Sequence, residues 1–490
     1  MLSLKKLDQT NKDNNQSKKI ERELPYFITI VTLLASSGLG PYTILQKIKE
    51  IHLLPIIRTE SVKILKRIDI LGLDPLTALS QAKDKPSSKA LGEFLSGYVS
   101  AIQSGGNVIN YLKSKMFGSF ERLENKEKQS VEKLSGLVHA YLTMQIVILA
   151  VFILVASIGS TPLSGYLSSP TAAQSDPPYS ILVFPPVMSA LFIVISKRMI
   201  QSNIPEVETK KILKYAVPSV LVATVLIFSN LFSSLHANAY VLGAGLIVAA
   251  MMPAIQFNKI YSANMDAETA TPHILRDITE ARKAGLGPEK CIVHACKRKD
   301  FRSFNPIANA IANKLEWGIP IDHIFDTLGK EIKNFQVLIS FRILFEIIFS
   351  GGGNVNTLDT LADTSEKIYN VEKNKRDMLK PYVMVGFMLI TITGFTTLMT
   401  IDSFAQINQE KNHRIGDQSL IGSADTGAFF ELISVAVIIQ AWLAGLFIGK
   451  ITKGAYSGGF IFSIFLTIIT LVAISTIQFH IVNLGAILKP

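Results

Sequence analysis

A helix that crosses a bilayer takes about 20 consecutive, mostly apolar residues. Seven segments of this 490-residue chain qualify, at roughly 141–162, 179–196, 213–235, 239–257, 382–402, 428–449 and 459–481. Lipid offers no hydrogen-bond partner to a bare backbone, so each such segment must be helical. Between them lie long charged stretches. The chain is 48% hydrophobic and 18% charged, against about 25% charged for an average soluble protein. That balance excludes one uniform soluble enzyme and a protein wholly within the membrane. Two cysteines exclude a disulfide scaffold. The apolar runs at 24–36 and 337–349 are shorter, and the second carries Arg342 and Glu346. Both read as buried helices of a soluble bundle.

Lysine and arginine set the orientation, because positive residues collect on the cytoplasmic side. With the seven spans above, 46 of the 49 basic residues fall on one side, and only Lys411, Arg414 and Lys489 on the other. Residues 1–23 are polar and lysine-rich, with no small-residue cleavage site after the first apolar run, so they are not read as a signal peptide. The expected topology is a multi-pass cell-membrane protein with a cytoplasmic N-terminus and an extracytoplasmic C-terminus. The net charge of +11 then belongs to the cytoplasmic face.

The chain repeats itself. Gly38-Leu39-Gly40-Pro41 recurs as Gly285-Leu286-Gly287-Pro288, and Gly105-Gly106-Asn107-Val108 as Gly352-Gly353-Asn354-Val355, both at one offset. The same offset carries the first three spans onto the last three. Each unit is therefore a cytoplasmic domain followed by three spans. The fourth span, 239–257, returns the chain so that both domains share the cytoplasmic side. The repeat is parallel, unlike the inverted repeats of many secondary transporters.

The expected fold is all-α. A polar tail at 1–23 precedes a helical bundle at 24–140, four spans at 141–257, a second bundle at 258–381 and three spans at 382–490. Apolar periodicity and Gly/Pro punctuation predict helices in the first bundle at about 24–37, 41–52, 56–71, 74–83 and 87–104, then from Asn107 onward. In the second they fall at about 270–284, 288–299, 302–317, 320–330 and 332–350, then from Asn354. Pro25 reads as a first-turn proline. No strand pattern emerges. Two six-helix bundles follow.

This layout resembles the type II secretion system F family, the polytopic platform proteins of pilus, secretion and archaeal-flagellum machines. The resemblance rests on Leu24-Pro25, Gly38-Leu39-Gly40-Pro41, Gly72-Leu73-Asp74-Pro75 and Ser104-Gly105-Gly106-Asn107. In the second copy it rests on Gly285 to Pro288, Gly318-Ile319-Pro320 and the run Ser350 through Gly352 and Gly353 to Asn354. Two domains with many spans look more like the archaeal branch, the platform of an archaellum or archaeal type IV pilus, than the bacterial secretion member. The resemblance implies a non-enzymatic protein that binds a hexameric secretion ATPase on the cytoplasmic side. It would couple that ATPase to filament subunits, archaellins or pilins. No catalytic residue, metal or cofactor is expected, and a homodimer of the duplicated chain is.

The chemistry-bearing residues agree with that expectation. There is no phosphate-binding G-x-x-x-x-G-K-[ST] loop, and the glycines near 105 and 352 read as helix–helix turns. Cys291, His294 and Cys296 lie on one helix with the two thiols on different faces, so they read as packed thiols rather than a zinc site. Intramembrane polar residues are few: Glu431, Asn230, Gln440 and His480. Gly243, Gly245 and Ala249 read as close helix-packing positions.

The basic clusters remain. Lys63, Lys66 and Arg67, then Arg282, Lys283, Lys297, Arg298, Lys299 and Arg302, read either as a solvated face attracted to anionic lipid or as an electrostatic dock for an acidic ATPase surface. Nucleic acid is not an expected partner, since its binding motifs are absent. The rival reading is a transporter or permease subunit. It is disfavoured by the few intramembrane charges.

Overall fold

A computed structural model of the chain describes residues 2–84, 88–159, 179–199, 238–298, 300–351, 353–414 and 426–478. Among them there is helix, turn and no strand, so the all-α expectation holds. The first repeat contains α1 (Leu2–Ser36), α2 (Pro41–Glu50), α3 (Pro55–Leu71), α4 (Pro75–Asp84), α5 (Lys89–Gln103), α6 (Val108–Gly159) and α7 (Tyr179–Met199). The second contains α8 (Asn238–Lys283), α9 (Pro288–Arg298), a 3-10 turn at Arg302–Phe304, α10 (Asn305–Glu316), α11 (Ile321–Glu331), α12 (Phe335–Phe349), α13 (Val355–Arg414) and α14 (Thr426–Lys453). A second 3-10 turn, Tyr456–Gly459, then leads into α15 (Phe460–Gln478).

Two features differ from the sequence expectation. The first helix begins at Leu2, not near residue 24, so Pro25 lies inside α1 rather than in its first turn. Ile20 and Leu24 are both buried. Tyr26 and Phe27, just after Pro25, are buried as well, and packing on both sides of the proline holds the helix together where a proline alone would stop it. The helices expected at 239–257 and 270–284 are likewise one helix, α8, because 258–271 contains neither glycine nor proline to end it.

Four helices among the described residues are long and apolar enough to cross a membrane: Ala239–Lys283, Val355–Met399, Ile433–Lys453 and Tyr456–Ile477. A shorter apolar stretch spans Phe184–Lys197. The expected span at 213–235, with Asn230, lies outside the described residues, as do the end of the one at 141–162 and His480.

The chain divides into two compact units. One is Met1–Gln129 with Tyr261–Lys375, and the other is Ser130–Ile260 with Arg376–Pro490. The first unit therefore gathers both helical repeats. A single hydrophobic cluster runs through it, from Phe27, Leu33 and Phe94 of the first repeat to Ile278, Phe304 and Phe341 of the second. Tyr26 of α1 meets Phe335 of α12 edge-to-face with centroids 5.0 Å apart, a geometry that aromatic quadrupoles favour. The two bundles share one core instead of burying two.

In the second unit, glycines allow very close helix approach. A Cβ on Gly449 would lie 2.0 Å from Gly459 Cα, and one on Gly445 2.4 Å from the Ser463 backbone. Gly243 packs instead against a side chain: a Cβ there would lie 2.7 Å from the end of Leu471. The expected packing role therefore holds for Gly243. In α14–α15 it falls on glycines the sequence reading passed over.

Candidate partner-docking surface

The repeat is visible bond for bond in one turn and one helix cap. Gly38 and Gly285 have φ of +88° and +89°, a left-handed conformation that side chains resist and glycine adopts freely. Before each, the helix closes with the same bonds: Leu39 N donates to Leu34 O and Leu286 N to Ala281 O, each at 3.2 Å. These are the six-to-one bonds of a Schellman stop. Pro41 and Pro288 then open α2 and α9. Asn107 Oδ1 accepts from Asn110 N at 3.0 Å, and Asn354 Oδ1 from Thr357 N at 2.8 Å, so both long helices have the same N-cap. Gly72, Gly105, Gly318 and Gly351 also have positive φ. Gly106 follows Gly105 with ordinary φ, and Gly353 packs against Pro288. Gly352 lies outside the described residues. Every motif glycine that is described thus sits in a helix–helix turn, and the turns bring no chemistry-bearing side chains together.

The basic residues do not form one open patch. Lys63 Nζ pairs with Glu60 at 2.8 Å. Lys283 pairs with Glu280 at 3.0 Å and reaches Asp359 at 4.0 Å. Lys297 is held by Glu316 at 2.7 Å and Arg298 by Asp277 at 3.1 Å. Arg282 is a structural clamp: its Nε donates to Gly353 O at 2.7 Å and its Nη1 to Leu286 O at 2.8 Å, tying two turns together. Lys299 lies outside the described residues. Arg302 is exposed and has φ +53°, a strained conformation for a side-chain-bearing residue. Among the described residues Lys66 and Arg67 make no ion pair, and Arg67 Nη1 is buried without a hydrogen-bond acceptor.

Sequence reasoning missed the ionic groups that organise this unit. Arg276 of α8 reaches Asp363 at 3.0 Å, Glu366 at 2.8 Å and Asp359 at 3.9 Å on α13. Its guanidinium is raised above its usual range, chiefly by the hydrogen bond to Glu366. The acidic residues at i, i+4 and i+7 of α13 were the available signal. Glu346 of α12 is buried beside Arg342, its hydrogen-bond partner, and lies 3.6 Å from Lys47 of α2. Burial outweighs both cations and raises its carboxyl above the ordinary range. Glu23 of α1 accepts from Ile56 N and Ile57 N at the start of α3, at 3.1 and 2.8 Å. Its carboxyl too is raised by burial, opposed by those bonds.

Cys291 and Cys296 are buried and free. Burial pushes the Cys296 thiol up to about 12. His294 is not buried with them, and no group of metal ligands forms among the described residues. In the second unit, Gln440 of α14 donates to Gln145 of α6 at 2.5 Å, and Gln145 donates to Ser189 of α7 at 3.3 Å. Three helices are thereby joined by two side-chain amides and a hydroxyl, polar groups that an apolar setting makes costly to leave unpaired. The side chain of Glu431 is outside the described set.

Residues 27–158 match the family model described as Type II secretion system (T2SS), protein F. The matched segment runs from α1 through α6, the first bundle and most of its following apolar segment, and it supports the type II secretion system F family. No curated protein and no solved structure matches the chain.

Proposed function

We propose, from a first repeat that matches the type II secretion system protein F model, that the chain is a multi-pass membrane platform of a type II secretion or type IV pilus-like machine. The observation that carries this reading is the pairing of that match with a second copy of its first turn and of its long-helix cap, each copy followed by apolar helices. The first unit faces the cytoplasm and docks a hexameric secretion ATPase. Motion imposed there passes along α6, α8 and α13, each of which contributes residues to both units. The apolar helices seat the hydrophobic segments of filament subunits, archaellins or pilins, and the machine is of the archaeal branch. The chain performs no catalysis itself. A second copy would give four repeats in closed symmetry. The test is co-purification: the full chain in detergent should retain a secretion ATPase of its own cell, and loss of the ATPase under every mild detergent would refute the reading.

A further inference from the structure

The turn between α14 and α15 is too short to leave the membrane surface. Two of the apolar helices long enough to cross a membrane are Ile433–Lys453 and Tyr456–Ile477, and almost nothing separates them. The turn therefore lies at the depth of the lipid headgroups, which flank the hydrocarbon core. Other helices of the second unit reach the same level. Tyr456 OH donates to Ile193 O of α7 at 3.0 Å, and Lys197 lies one helical turn beyond Ile193. Lys453 Nζ lies 5.8 Å from the ring centre of Phe257 on α8 and 5.3 Å from that of Phe462 on α15. Lys259 follows closely after Phe257 on α8.

These lysines have different jobs. Lys450 is buried; its Nζ donates to Gly454 O at 2.8 Å and sits 4.8 Å from the Tyr456 ring centre. It serves the end of α14, where the helix dipole favours a cation, and adds a fixed positive charge behind the turn. Lys453 is half-buried, its stem held against Gly458, where a Cβ would lie 2.7 Å from Lys453 Cβ. Lys197 and Lys259 are exposed and make no ion pair among the described residues. The only acidic side chains described in the second unit are Glu132 on α6 and Asp377 on α13, and Lys380 holds Asp377 at 2.6 Å. Lysines from three helices thus stand at headgroup depth in a unit poor in carboxylates. The occupant that this depth supplies is lipid, and its complementary group is a phosphate without a compensating ammonium.

We propose that this end of α7, α8 and the α14–α15 turn binds the headgroup phosphate of an anionic phospholipid, with Lys453 as the inner cation and Lys197 and Lys259 as the outer ones. Basic pockets between spanning helices on the cytoplasmic side suit such headgroups. The site requires only that the chain spans a membrane, whichever machine it serves.

The test uses the full chain in neutral detergent, titrated with phosphatidylglycerol or with zwitterionic phosphatidylcholine, and native mass spectrometry to count lipids retained per chain. Phosphatidylglycerol should be retained in preference. Lys453→Gln, Lys197→Gln and Lys259→Gln should each weaken its retention about five-fold. The last two alter exposed side chains, so they keep the test valid if Lys453→Gln folds poorly. Lys380→Gln, which removes the same charge where Asp377 already meets it, should retain the lipid as the wild type does. Equal retention of the two lipids, or full retention of phosphatidylglycerol in both Lys197→Gln and Lys259→Gln, would overturn the site. Displacement of the lipid by millimolar inorganic phosphate would assign the lysines to free phosphate and overturn the lipid as occupant.

Discussion

Ser135 Oγ and Tyr382 OH lie 2.5 Å apart, and the two residues are 247 positions apart in the chain, the same spacing that separates the two copies of the repeat. Each is thus the counterpart of the other. Two copies related by a two-fold bring a residue against its own equivalent only near the axis. The contact therefore marks a pseudo-two-fold between the repeats within the second unit, and it should contribute to stability as an ordinary hydroxyl pair. Tyr382→Phe and Ser135→Ala should each cost about 0.5–1.5 kcal/mol. The double variant should cost clearly less than their sum, read from thermal or denaturant unfolding in detergent. Strict additivity would mean that the two hydroxyls do not interact.

The paired N-caps test the repeat at a different level. Asn107 and Asn354 are both exposed and both accept from the amide three residues on. Asn107→Ala and Asn354→Ala should each destabilise by about 1 kcal/mol, and by similar amounts. A cost at one position alone would show that the two turns are equivalent in shape but not in energy.

Much of this was legible in the sequence. Glycine and proline fix helix ends chemically, so α2 to α5 and α9 to α12 fall within a few residues of the boundaries that Gly38, Pro41, Gly72, Gly285, Pro288 and Gly318 imply. Pro25 misleads because its cost is local, while the burial of Ile20 and Leu24 that overrides it is tertiary. The shared core was not legible for the same reason: periodicity shows which face of a helix is apolar and not which repeat covers it. Nor was the state of the basic clusters. Lys297 meets Glu316 and Arg298 meets Asp277, about 20 residues away in sequence and on other helices, so a run of like charge in the sequence is neutralised in space. Leu71 and Trp317, both exposed, look like core residues in the sequence.

Helix packing in the second unit depends on missing side chains. Gly449→Ala would set a Cβ 2.0 Å from the Gly459 backbone, which cannot move aside as a flexible side chain can. Overpacking of this kind costs about 1–3 kcal/mol or more, and the variant should unfold at markedly lower temperature or fail to accumulate. Gly329→Ala, on α11 with nothing near its Cβ, should be neutral to stabilising in the same assay.

Glu346 gives the fold a pH dependence of defined sign. Its folded carboxyl is raised by burial despite Arg342 and Lys47. Its contribution is therefore fully present below the ordinary carboxylate range and is lost as pH rises through the raised folded value. Glu346→Gln should flatten the stability of the chain over that interval, from about pH 4 upward. A wild-type slope retained in the variant would assign the dependence to other groups.

The two thiols should be silent in the native protein. Both are buried, and Cys296 is held far above neutral pH, so neither supplies thiolate to an alkylating reagent. Maleimide should label neither in the folded chain and both after denaturation. Labelling of native Cys296 would mean that the first unit opens locally.

The most direct test of the platform role is filament counting by electron microscopy in cells that lack this chain. Complementation with the full sequence should restore filaments. Normal filaments in the deletion strain, together with a lost solute flux, would contradict the platform reading and favour a transporter instead.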